Sequence, residues 1–388
     1  MDLTTLTYLF VFMVGFLGVD AAIHPPDAIL EGEASTAFKD TTINSTLVSD
    51  VLNGEAARIS STATIMTRPV IRVGRLQGVA MSIAETFKME QVAYALQAQL
   101  GHQPDQIKIS LFGEGGIAKV LITGTSHRRM APFQEELAQQ PGETIVALLQ
   151  RATVKGMAHI DPYVTALNEV QNHAAEKDFS EAEAIINDAM DRLPPTPENF
   201  DRSLFENLNG LIALFRDNVS EARDWFARAE ASCPDFTTAD AVSAVNAAFS
   251  DVQTGNYKSA AARMDRLLNE KPPTDPVMLS TAHMTLAAAD MGLKKQDVAE
   301  QELAKAIAIY PKGSSAYDLW SDIKRAEGDS AAADEMHQKA LETSASFENY
   351  AEIATLYFRL AWSDNKAVMR SPYSNPEKVP GRTSGRGQ

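Results

Sequence analysis

Cysteine is nearly absent from this chain: Cys233 is the sole example in 388 residues. An internal disulfide framework and any multi-cysteine metal site are therefore excluded. Cys233 stands just before Pro234 and reads as a small helix-end residue, since no basic neighbour is evident to activate a thiol. Positive charge is also in deficit. The chain carries 35 Lys and Arg against 51 Asp and Glu, a net charge of −16, which argues against a phosphate backbone as the main partner. Catalytic signatures are missing too: there is no HExxH, no GxSxG and no paired metal ligands. The histidines, at 24, 102, 127, 159, 173, 283 and 337, are scattered, and His283 and His337 read as packing or surface residues. No catalytic residue, cofactor or metal follows from this sequence, and it reads as non-enzymatic. At 45% hydrophobic and 22% charged it is nonetheless a globular chain, long enough for two or three cored domains.

What is present is a repeat. Ala182, Ile186, Ala189 and Pro194 recur as Ala222, Phe226, Ala229 and Pro234, as Ala260, Met264, Leu267 and Pro272, and as Ala299, Leu303, Ala306 and Pro311. A fifth copy, Ala333, His337 and Ala340, has lost the proline. Spacing between successive anchor alanines is 40, 38, 39 and 34 residues, the period of stacked helix pairs. The small residue lets two helices approach, the bulky one fills the gap to the next pair, and proline stops the second helix. Lys177-Asp178-Phe179, Asp217-Asn218-Val219, Gly255-Asn256-Tyr257 and Gly328-Asp329-Ser330 precede the anchors as turns.

Those residues resemble the tetratricopeptide repeat (TPR), over residues 161–345. The resemblance implies a mainly α fold, a TPR-like α-solenoid of about five helix pairs, with the first helix of each pair lining the concave face. Counting back from the anchors places Leu167, Gln171, Asn207, Leu211, Val242, Val245, Phe249, Met284 and Ala288 there. The strip is apolar and contains methionine, suited to an amphipathic helix or an extended peptide. The resemblance also places Asn168 and Asn246 where related repeats hydrogen-bond a ligand's backbone, and it finds no lysine at the positions that clamp a C-terminal carboxylate. A strip of this kind is equally read as filled by the protein's own capping helix or by its α+β domain. Residues 346–370 are expected to supply that cap, with Tyr350, Ile353, Leu356, Tyr357 and Leu360 on one stripe, and 371–388 a disordered tail.

Ahead of the repeats, Tyr8–Val19 is an uninterrupted apolar run within residues 1–24. It reads as an N-terminal membrane anchor or a signal segment. The absence of Lys and Arg before it favours the anchor over a cleaved signal. On either reading the bulk of the chain is expected outside the cytoplasm, in the periplasm, while orientation is only weakly set because the first cation after the run is Lys39. Residues 25–67 read as a stalk with one helix, Ser45 to Arg58. Residues 68–160 read as a small α+β domain in the order β-α-β-β-α: a strand at Val70–Val73, a helix at Met89–Leu100, a hairpin of Gln106–Phe112 with Ala118–Thr123, and a helix from Glu143 to His159. Gly113-Glu114-Gly115-Gly116 joins two strands, so it is a turn and not a phosphate loop. His127-Arg128-Arg129 is a compact basic cluster that could meet lipid headgroups, although a solvated loop explains it as well.

The arrangement, with Asp161-Pro162-Tyr163 at the entry to the repeats, also resembles proteobacterial membrane-anchored envelope proteins of no known activity. The expectation is an envelope scaffold at the bacterial inner membrane, binding protein or peptide partners in the repeat groove. The alternative is a regulatory or assembly factor whose α+β domain binds lipid or polysaccharide while the repeats oligomerise it.

Overall fold

A computed structural model of the protein describes residues 28–35, 43–62, 105–114, 116–126, 131–194, 196, 199–233 and 238–344. The N-terminal apolar run, the strand at 70–73, the helix at 89–100, the basic cluster at 127–129, the capping helix and the tail all lie outside these residues. Among the described residues no helix is long and apolar enough to cross a membrane. The chain divides between Asn168 and Glu169 into two compact units.

Among the described residues the first unit is a four-stranded sheet with two helices packed on it. Strands β1 (Ala28–Ala34), β2 (Asp105–Glu114), β3 (Ile117–Ser126) and β4 (Ala131–Ala138) lie in that order, β1 parallel to β2 and the remainder antiparallel. The β2–β3 hairpin is the expected one, and Gly116 takes its left-handed turn at φ 82°. Two strands differ from expectation. The stretch read as a stalk is part of the sheet unit: Ala28–Ala34 is the parallel edge strand, and helix α1 (Ser45–Ser60) packs back on it. Contact there is close enough that a Cβ on Gly32 would fall 2.7 Å from the Ser49 nitrogen. Strand β4 escapes the sequence because Gln134, Glu135 and Glu136 break the apolar alternation.

Helix α2 (Ile145–Ile160) packs beside α1 and over β2 and β3. Thr144 caps it, its hydroxyl accepting from the Ala147 N–H at 3.1 Å. Alternation along β2 sends Ile107, Ile109 and Leu111 into the helix-covered core, where Val120 and Ile122 of β3 join them. The opposite sheet face carries Gln106, Lys108, Thr123 and Gln134.

The second unit is built of helix pairs. Asp161-Pro162-Tyr163 opens α3 (Pro162–Asn172), which runs across the division between the units. Asp161 caps it by accepting from the Val164 N–H at 3.1 Å, Pro162 occupies the first turn, and Tyr163 is fully buried. There follow α4 (Ser180–Arg192), α5 (Phe200–Phe215), α6 (Val219–Ser232), α7 (Thr238–Gln253), α8 (Tyr257–Glu270), α9 (Pro276–Gly292), α10 (Gln296–Ile309), α11 (Ser314–Glu327) and α12 (Ser330–Ser344). Each of α4, α6, α8 and α10 stops two residues before its proline, and α12, which lacks one, continues to Ser344, one residue further in register. All five anchor alanines are at most 1% exposed, and Ile186, Phe226, Met264 and Leu303 are fully buried. His337, the odd member of the stripe, instead has a half-exposed side chain.

The turn inside each pair is the same event five times. Lys177, Asp217, Gly255, Lys294 and Gly328 all have positive φ, and each lies five residues before its anchor alanine. At the last four the chain closes with paired bonds such as Asn218 N–H to Ala213 and Asp217 N–H to Leu214, which satisfy carbonyls at the helix end.

Candidate functional site: the inner row of the repeats

Repeat register aligns one row of positions along the first helices α3, α5, α7, α9 and α11. Asn207 and Leu211 belong to α5, Val242, Val245, Asn246 and Phe249 to α7, and Met284 to α9; Asn168, on α3, falls in the first unit. Small residues behind the row let the paired helices meet. Gly210 faces Phe226 so closely that a Cβ would sit 2.3 Å from the ring, and between successive pairs Gly292 of α9 comes as close to Tyr257 of α8. Ser280 and Ser321 stitch their pairs differently, their hydroxyls donating to the carbonyls of Ala306 (2.9 Å) and Ala333 (2.7 Å).

Every one of the eight candidate side chains is buried, from Asn246 at 0% to Met284 at 7%. Asn168 does not face a free groove: its amide donates to the Thr62 hydroxyl at 2.9 Å. Asn246 donates to the Asn207 carbonyl oxygen at 2.9 Å, and both of these, with Phe249, are engaged elsewhere in the chain too. Helix α7 is buried at every position from Ala241 to Asp251. A helix in a two-layer stack keeps one face to solvent unless something covers it. The centre of the row is thus an interior surface of this chain, not an open apolar strip.

Accessibility returns at the last pair. Asp318 and Asp322 of α11 occupy the positions equivalent to Met284 and Ala288 and remain part-exposed. Burial raises both carboxyls, Asp322 to about 6, opposed by Arg325 and assisted by Asp318. His337 Nδ1 lies 3.3 Å from Asp318, and Arg325 lies 3.4 Å from Asp322. Sequence reasoning stopped one repeat short of this pair, although the 34-residue register points straight at it.

The other buried charges close structural contacts. Asp251, fully buried, takes the Ser259 hydroxyl at 2.7 Å and lies 3.0 Å from Arg223 Nε. Glu302 sits 2.6 Å from His283; burial works to raise its carboxyl, but Lys305 and His283 hold it below the usual range. Among the described residues no group of three or more His, Cys, Asp or Glu is placed to hold a metal ion.

Paired helices, a recurrent left-handed turn and a buried alanine stripe define the architecture. The second unit is a TPR-like array.

No family model matches the chain, and no curated protein matches it. Solved structures of MamA are similar to part of it. The crystal structure of MamA aligns with a TM-score of 0.33 at 16% identity, covering 45% of this chain and 94% of that one. A MamA RS-1 double mutant gives 0.34 at 15% identity, covering 48% and 96%, and MamA MSR-1 C2 gives 0.32 at 16%, covering 47% and 97%. Likeness of this size supports no statement about partners or activity.

Proposed function

We propose that this chain is a non-enzymatic scaffold of the bacterial envelope that binds a protein or peptide partner through its repeat array. In this reading the apolar N-terminal segment holds it at the inner membrane, with the repeats in the periplasm. The observation that carries the reading is the repetition itself: one turn and one inner row recur in register, a geometry whose common use is an extended binding surface. Because the row is interior at α5 and α7, the partner engages first at its accessible end, beside Asp318 and Asp322, whose charges favour a basic segment.

A photo-crosslinking residue placed at 318 or 322 in cells tests this. Adducts to another protein are expected at both positions and not at Glu335, on the exposed side of α12. Identical patterns at all three, or crosslinks within the chain alone, would remove the groove reading.

A further inference from the structure

The sheet face turned away from α1 and α2 holds a hollow of about 520 Å³ that spans all four strands. Its walls follow the strand register. Glu31, Lys108, Thr123 and Gln134 form one cross-strand row, and Gln106 and Thr125 pair in the row beside it. Side chains of Gln106, Thr123, Thr125 and Gln134 make no hydrogen bond within the described residues. They are uncharged donors and acceptors standing on a rigid ladder, and the volume lies in the range of small-ligand sites.

Chemistry narrows the occupant. Among the described residues Lys108 is the one cation lining the hollow, and Glu33 at 2.8 Å, with Glu31 opposite it in the register, neutralises it. A phosphate or lipid headgroup would therefore meet a site with no net positive charge. A peptide strand gains its affinity by adding to a sheet edge, whereas this hollow lies over the middle of the sheet, where the backbone is already paired. Four strands about 4.8 Å apart present hydrogen-bonding groups over roughly 14 Å, the length of a few sugar rings.

We propose that this hollow is a binding site for a neutral polysaccharide strand, held by hydrogen bonds from Gln106, Thr123, Thr125 and Gln134. The proposal stands apart from the repeat groove and does not depend on it.

Titration of the full-length protein with maltotetraose, cellotetraose and a β-1,4-linked N-acetylglucosamine tetramer reads the site directly. Saturable binding of at least one is expected below about 10 mM. Gln106→Ala combined with Gln134→Ala should weaken it at least about tenfold, with the melting temperature unchanged. No binding by any of the three overturns the proposal, as does binding that the double variant leaves intact. Inorganic phosphate and phosphatidylglycerol vesicles form the opposing arms. Binding of either that Lys108→Gln abolishes would assign the hollow to an anion, free or at a lipid surface, and overturn the sugar assignment.

Discussion

Replacing Gly210 by alanine sets two effects of opposite sign against each other. In an exposed helix this change stabilises by about 1 kcal/mol, because alanine loses less backbone freedom. Gly210 instead faces Phe226, and a Cβ there would meet three ring carbons at 2.3, 2.6 and 2.8 Å. Ordinary contacts start near 3.4 Å, so α5 and α6 must part by roughly 1 Å or the ring must leave its rotamer. Phe226 has no exposed surface, and close-packed interiors leave little room for a ring to shift. Overpacking of this kind costs about 1–3 kcal/mol, which outweighs propensity and leaves a net loss of up to about 2 kcal/mol. Two units make a single unfolding midpoint ambiguous, so the measurement is hydrogen exchange resolved to α5 and α6. Gly210→Ala should accelerate exchange there. Phe226→Leu, itself destabilising, should reclaim part of the loss when combined with it, a coupling of about 1 kcal/mol. Slower exchange in α5 and α6, or strict additivity of the two changes, would refute the close approach.

Lys294 holds the left-handed turn that Gly255 and Gly328 hold elsewhere, so Lys294→Gly should stabilise by up to about 1 kcal/mol in urea unfolding, and Gly255→Ala should destabilise by a similar amount. Asn246→Ala removes the donor to the buried Asn207 carbonyl oxygen and should cost about 1–3 kcal/mol; no change would mean that the pair is solvated. Asp322 gives a pH signature. Its folded-state pKa is raised from 3.8 to about 6, so the native protein holds this proton more tightly than the unfolded chain. Its stabilising contribution is complete below about pH 4 and is lost as pH rises through 6. With the side chain 22% exposed, the full shift of about 3 kcal/mol is cut by solvent screening to roughly 1–2 kcal/mol. Asp322→Asn should therefore stabilise at pH 7 and have little effect at pH 4, and an equal effect at both would discard the desolvation argument.

The repeats were legible because their signals are local and redundant. An alanine, a bulky residue four later and a proline near the end each act within two turns of helix, and five copies confirm one another. The left-handed turn was half visible: Gly255 and Gly328 announce it, whereas Lys177, Asp217 and Lys294 do so only through register. Strand β1 was hidden because its partner, β2, lies over seventy residues away and its seven residues carry Glu31, Gly32 and Glu33. Pairing at that range is decided by tertiary contacts, which no window of sequence contains. Helix α2, with an N-cap and an amphipathic stripe, needed no such help.

Inner-row residues expose a different limit. Helical register gives the direction in which Val245 or Phe249 points, but not what stands opposite. Val242, Val245 and Phe249 read equally well as a partner's apolar seat or as core, and the sequence held both readings open. Burial at every position from Ala241 to Asp251 decides for core at α7. Asn207 and Asn246 show why the polar members misled. An asparagine placed to bind a ligand's backbone and one placed to bind another asparagine are the same residue at the same register; only the 2.9 Å contact separates them. Asp318 and Asp322 carry the converse lesson. A carboxylate pair in a row otherwise lined by apolar and uncharged polar residues breaks the pattern in plain view, and at that break the row becomes accessible again. On the scaffold function proposed above, a partner would meet charge before it meets the apolar row, and the salt dependence of its binding should report Asp318 and Asp322 before any hydrophobic contact is lost.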